Sequence, residues 1–156
     1  MKKEDKLTFN ISLQAMQNFI IKTHKPNTLY LADHFFILNK GLNSGKPLNE
    51  SCPNCFVLIF QNAIDKDSYY WLAYSLWKSR YWHQFLVGSV IPFIRIDDFK
   101  IDYADKTSKM LKEHQEHVKN VKALKLLEQK ECSFQKNIKL ISDLRAAIIT
   151  NYCRKY

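Results

Sequence analysis

The chain has 156 residues, 46% of them hydrophobic and 13% aromatic, with a formal net charge of +9. Such a chain is one domain long, able to bury a real core and too apolar for disorder. No apolar run nears the ~18 residues of a membrane span. The opening "MKKEDKLTFN" lacks the apolar core of a signal peptide, and four cysteines without an export signal read as reduced thiols. A soluble, cytoplasmic protein is expected.

Charge is unevenly placed. Residues 1–26 carry +3, residues 27–104 carry 0, and residues 105–130 and 131–156 carry +3 each. The 20 Lys against 4 Arg, with 11 Asn, fit the codon habit of an AT-rich genome. That habit does not explain why lysine outruns acid only at the two ends, a pattern that suits an acidic partner or a nucleic acid.

In chain order, "KLTFNI" alternates like a short strand, and "SLQAMQNFIIKTHK" reads as a helix capped by Ser12. "KPN" at 25–27 breaks the chain. "TLYLADHFFILNKG" repeats apolar residues at helical spacing and stops at Gly41, where a glycine can close a helix. "NCFVLIFQN" is a continuous apolar run of strand length, hence a buried strand. Residues 66–86 predict an aromatic helix, and "GSVIPFIRI" a further strand with Pro92 at an edge or bulge. From about Asp97 onward two long helices are predicted, meeting near Glu131–Ser133. The expected fold is a mainly helical α+β domain over 1–156: a small sheet packed by helices in 1–96, and a basic two-helix hairpin in 97–156.

The stretch "GLNSGKPLNESCPNCF" (Gly41–Phe56) invites three readings. A P-loop needs four residues between its first glycine and the Gly-Lys pair; here only Leu42, Asn43 and Ser44 intervene, and Pro47 follows Lys46. The pair Cys52 and Cys55 has zinc-like spacing, yet Cys132 and Cys153 are 21 residues apart with no His near either. A redox CxxC opens a helix, whereas this one opens a strand. The stretch is therefore read as a joint between a helix and a strand, and no metal or cofactor is expected.

Catalytic signals are equally thin. His114 and His117 lie one turn apart without a third ligand, and His24, His34 and His83 stand alone. No Ser or Cys sits in a glycine-flanked elbow. A non-enzymatic protein is expected, with a ribonuclease built on His and Lys as the form an enzyme would take.

Eight aromatics fall within Tyr69–Phe85, with Lys78, Arg80 and His83 among them. Tyr70, Tyr74, Trp77, Tyr81 and Phe85 follow one helix face and read as core. Trp71 and Trp82 lie off that stripe and, with Arg80, are the candidates for secondary contact with a ligand through stacking and cation–π interactions.

At the C-terminal end Phe134, Ile138, Ile141, Leu144, Ile148 and Tyr152 make a clean apolar stripe, with Arg145 inside its arc. The preceding helix shows only the narrow seam Leu111, Val118, Val121 and Leu124. On that helix Lys109, Lys112, Lys119 and Lys130 fall within about 80° of arc, interrupted by Glu116. Lysines suit phosphates or acidic surfaces better than base reading. Lys106, Lys109, Lys112, Lys119, Lys122, Lys125, Lys130, Arg154 and Lys155 are the candidate partner- or RNA-binding residues.

"GLNSGKPL" followed by "PNCFVLIF" resembles small proteins of unknown function from Bacteroidetes-group bacteria and their mobile elements. The likeness spans roughly residues 30–100 and carries no catalytic residue. A small, basic, lysine-rich chain of this kind also resembles phage and mobile-element inhibitors, among them anti-CRISPR proteins acting on the type VI-B RNA-guided RNase. The resemblance implies a non-catalytic inhibitor in a bacterial or phage-infected cell, binding a CRISPR effector nuclease or its guide RNA. A direct nucleic-acid binder of a mobile element is the alternative, and a small ribonuclease toxin the third.

Overall fold

The protein is described here by a computed structural model covering residues 19–61 and 63–155. The chain divides into two compact units, one ending at His114 and one beginning at Gln115. The first unit contains a sheet of four strands: β1 (Phe19–Thr23), β2 (His34–Leu38), β3 (Pro47–Leu48) and β4 (Cys55–Phe60). Their order is β1-β4-β2-β3, antiparallel throughout.

β4 is apolar end to end because it is buried on both faces. It pairs with β1 from Phe19↔Phe60 to Thr23↔Phe56 and with β2 from His34↔Ile59 to Leu38↔Cys55. Alternate side chains then go to opposite faces of the sheet. Phe56, Leu58 and Phe60 join Phe35, Ile37, Phe19 and Ile21 under the helices. Cys55 and Val57 pack with Phe36 on the other face, flanked by Tyr30, Leu48 and Ile59.

Helix α1 (Ala63–Lys78), the 3₁₀ helix η1 (Tyr81–Phe85) and helix α2 (Ile96–Lys112) complete the first unit. Tyr69, Ala73 and Leu76 of α1, Trp82 of η1, and Phe99, Tyr103 and Met110 of α2 close the core. Trp82 and Phe99 lie 4.7 Å apart, Phe99 stacks on Tyr103 at 5.2 Å, and the Tyr103 hydroxyl donates to the Tyr69 carbonyl at 2.7 Å. Burial pushes the Tyr103 phenol well above its usual pKa, so it remains a donor. Helix α3 (His114–Lys155) supplies the second unit. The α+β class, mainly helical with a small sheet, is as the sequence predicts.

Several elements differ from expectation. Phe19–Thr23 is strand rather than helix, because Phe19 and Ile21 pair along β4 and face the core. The proposed cap Ser12 and the strand "KLTFNI" lie outside the described residues. The "TLYLADHFFILNKG" helix is absent. Leu29 and Leu31, which helped create its apparent helical spacing, are fully in solvent, and only His34–Leu38 is regular, as a strand. "GSVIPFIRI" forms a tight loop instead of a strand. Gly88 turns at φ 97°, and Val87 and Phe93 exchange both backbone hydrogen bonds, leaving isolated bridges to Val87 and Lys40.

The last two helices meet at Glu113, not near residues 131–133. Glu113 leaves helical geometry (φ −109°, ψ 36°), and its N–H is shared between the Lys109 and Met110 carbonyls. Helix α2 also packs its Phe99, Tyr103 and Met110 side into the core beneath the sheet, so its role extends beyond the basic hairpin assigned to residues 97–156. Among the described residues, no helix is long and apolar enough to cross a membrane.

Candidate nucleic-acid interface

The Gly41–Phe56 stretch joins strand to strand to strand, rather than helix to strand. The Leu38 N–H donates to the Lys46 carbonyl and the Gly45 N–H to the Leu38 carbonyl, closing a turn between β2 and β3. Gly41 and Gly45 take φ 93° and 92°, which only glycine adopts without strain. Gly45 also lies directly against the Trp82 indole. Farther along, the buried Cys55 thiol donates to the Cys52 carbonyl at 2.9 Å. Burial pushes the Cys55 pKa up to about 11, which suits a structural thiol and opposes thiolate chemistry.

That turn positions Lys46 toward α1. On α1 the fully buried face is Tyr69, Ala73 and Leu76, rotated away from the stripe that sequence spacing suggests. Tyr70, Tyr74, Trp77, Tyr81 and Phe85 are only half-buried. The rotation leaves a row on the flank of the helix: Trp71 against Tyr74 at 5.1 Å, and Tyr74 against Trp77 at 5.8 Å, both edge-to-face. The 3-residue spacing explains the row, since i and i+3 are neighbours on a helix surface. Lys46 Nζ lies 5.2 Å from the Trp77 ring centre, and Lys78 Nζ lies 5.2 Å from Trp77 and 5.4 Å from Tyr74. Mutual ring contacts fix the aromatic planes, while solvent reaches the half that the core does not cover.

Of the three secondary contacts suggested by sequence, Trp71 belongs to this row. Trp82 does not, because it is fully buried between the Gly45 turn and Phe99 and no ligand can reach it. Arg80 is exposed with φ 57°, and this left-handed residue separates α1 from η1. Lys46, Tyr74, Trp77 and Lys78, which make up this arrangement with Trp71, are not among the candidate residues that the sequence singles out. Helical spacing gave the two rings to the core, and nothing local links Lys46 to Trp77, 31 positions away.

The basic candidates fall on two helices. On α2, Lys106 lies 4.6 Å over the Tyr81 ring, whose hydroxyl donates to Asp102 at 3.0 Å. Lys109 pairs with Asp105 at 2.7 Å, so part of its charge is already matched, and Lys112 is exposed. Lys119, Lys122, Lys130, Arg154 and Lys155 on α3 are exposed, while Lys125 is half-buried. The predicted strip Lys109–Lys112–Lys119–Lys130 is not one helix face, because the break at Glu113 interrupts the wheel. Within α3 a different set aligns: Lys125, Lys136, Lys139 and Arg154 fall within about 60° of arc at 100° per residue. An open cleft of about 500 Å³ lined by Asn39, Lys40, Val90, Ile91, Phe93 and Ile94 is a further concavity, with Lys40 its single charged lining residue.

Compared with known families, the chain belongs to the family of unknown function DUF6943, whose model matches residues 21–151. No curated protein and no solved structure matches it.

Proposed function

We propose that this member of the DUF6943 family is a non-catalytic binding protein that holds single-stranded RNA on the flank of α1. The observation that carries the reading is the row Trp71–Tyr74–Trp77, partly exposed and attended by Lys46 and Lys78 within 5.4 Å. Nucleobases stack on aromatic rings whatever their sequence, and nearby ammonium groups take the phosphates between them. Without phosphate the lysines rest against the ring faces as cation–π partners. An incoming strand replaces that contact with base on ring and phosphate on ammonium. Lysine contributes point charge without bidentate base recognition, so the binding is strong in salt dependence and weak in sequence preference.

Inhibition of an RNA-guided RNA-cleaving effector, the narrower function implied by the resemblance, would use the same surface on the effector's guide RNA. The test is fluorescence anisotropy of a labelled single-stranded RNA across a salt series, with wild type, Trp77→Ala and Lys46→Ala/Lys78→Ala. Removing a stacking ring costs roughly 1–3 kcal/mol per base, about 5- to 150-fold in affinity. The lysine variant flattens the slope of log K against log salt by up to about 1.4. Binding unchanged in a folded Trp77→Ala protein refutes the RNA reading. Wild-type protein that ignores free RNA but associates with a guide-loaded effector moves the function to the narrower one.

A further inference from the structure

Helix α3 runs for 42 residues, and its C-terminal half is amphipathic with its apolar side exposed. Leu127, Phe134, Ile138, Ile141, Ile148 and Tyr152 are 58–66% exposed, and Leu144 and Ile149 beside them 63% and 55%. Together with Glu131 and Arg145, the seam residues follow strict 4-3-4-3 spacing over positions 127, 131, 134, 138, 141, 145, 148 and 152. That is the a/d pattern of a coiled coil, sustained for nearly four heptads and about 38 Å. The apolar stripe that the sequence shows faces solvent in the structure.

We infer that the seam is a homodimer interface, in which α3 of a second copy of this chain lies antiparallel along it. Two arguments select that occupant. The first is area. At roughly 60–120 Å² for a fully exposed apolar side chain, and with 55–66% of each still exposed, the eight apolar residues offer on the order of 400 Å² of apolar surface per copy. A standard stable interface buries about 800 Å² per partner, of which about 500 Å² is apolar in a homodimer.

The second is charge. The only ionisable carboxylate and guanidinium in the seam are Glu131 and Arg145, two heptads apart. Parallel pairing sets Glu131 against Glu131 and Arg145 against Arg145. Antiparallel pairing centred between Ile138 and Ile141 sets Leu127 against Tyr152 and Phe134 beside Arg145. Each Arg145 is then offset by less than one helical turn along the axis from Glu131 of the second copy, within reach of its long side chain. The surface is self-complementary under a two-fold axis, as an isologous dimer requires. Lys125, Lys136, Lys139 and Arg154 lie on the opposite side of the helix wheel, so pairing does not cover that basic side of either copy.

The test is sedimentation equilibrium of the full chain from low to high micromolar concentration. Wild type should dimerise, and Ile138→Glu/Ile141→Glu should be monomeric with its circular dichroism and tryptophan emission otherwise retained by the first unit. The charge pair gives a second, milder probe. Arg145→Glu alone and Glu131→Arg alone should each weaken the dimer by at least roughly tenfold through like-charge juxtaposition. The double swap Glu131→Arg/Arg145→Glu should restore it. A wild-type monomer throughout the range overturns the proposal, as do single reversals without effect. Single reversals that weaken the dimer without rescue by the swap overturn the antiparallel arrangement.

Discussion

Gly41 and Gly45 form a matched pair for testing why the turn beneath Trp82 holds its shape. Their φ angles differ by a degree, 93° and 92°, so alanine meets the same backbone strain at both. Left-handed geometry costs an L-residue about 1–2 kcal/mol. Reduced unfolded-state entropy returns about 0.4–1 kcal/mol at each position, leaving a net cost near 1 kcal/mol. Their surroundings differ. A Cβ at Gly41 meets nothing within 4 Å, whereas one at Gly45 would lie 2.6 Å from Trp82 Cγ and 2.8 Å from Nε1, and closer still to Cδ1. The indole cannot swing aside, since it is fully buried and 4.7 Å from Phe99. Overpacking of that kind adds about 1–3 kcal/mol. Gly41→Ala should therefore cost about 1 kcal/mol and Gly45→Ala about 2–4 kcal/mol. Urea unfolding followed by tryptophan emission measures both, and the Gly45 variant should also shift the emission of the buried indole. Equal costs would refute the close approach of the turn to Trp82.

Trp77→Ala should cost on the order of 2 kcal/mol, short of the 3–5 kcal/mol of a core tryptophan, because Trp77 is only partly buried; thermal unfolding separates the two. Tyr103→Phe removes the hydroxyl that donates to the Tyr69 carbonyl and should lower stability by about 1–1.5 kcal/mol in urea titration. Tyr81 is held up to about 12, first by burial and then by its hydrogen bond to Asp102 and the charges of Asp102 and Asp105. The unfolded chain releases that proton near pH 10. Between about pH 10 and 12 the folded state thus binds more protons, and this contribution, complete below pH 10, is lost as pH rises through 12. Ultraviolet titration of the phenols should show a late-ionising tyrosine that Asp102→Asn moves downward; a Tyr81 titrating near 10 in the wild type would refute the coupling.

The sequence by itself determined those features whose cause is local. β4 was legible because a central strand covered on both faces must be apolar throughout, and "CFVLIF" has no other economical home. The amphipathic C-terminal half of α3 was legible from its 3–4 residue rhythm. Tertiary structure decided the rest. "HFFIL" and "FIIKT" become strands only because β4 offers them backbone partners, an influence 17 to 41 residues away that no window of apolar spacing contains. The break at Glu113 involves neither glycine nor proline, so no residue announces it. Which face of α1 is buried depends on where α2 and the Gly45 turn meet the sheet. They take Tyr69, Ala73, Leu76 and Trp82 inside, and so leave Trp71, Tyr74 and Trp77 beside Lys46 at the surface. Helical periodicity says that an aromatic stripe exists. The neighbours that cover one side of it determine which rings remain partly exposed.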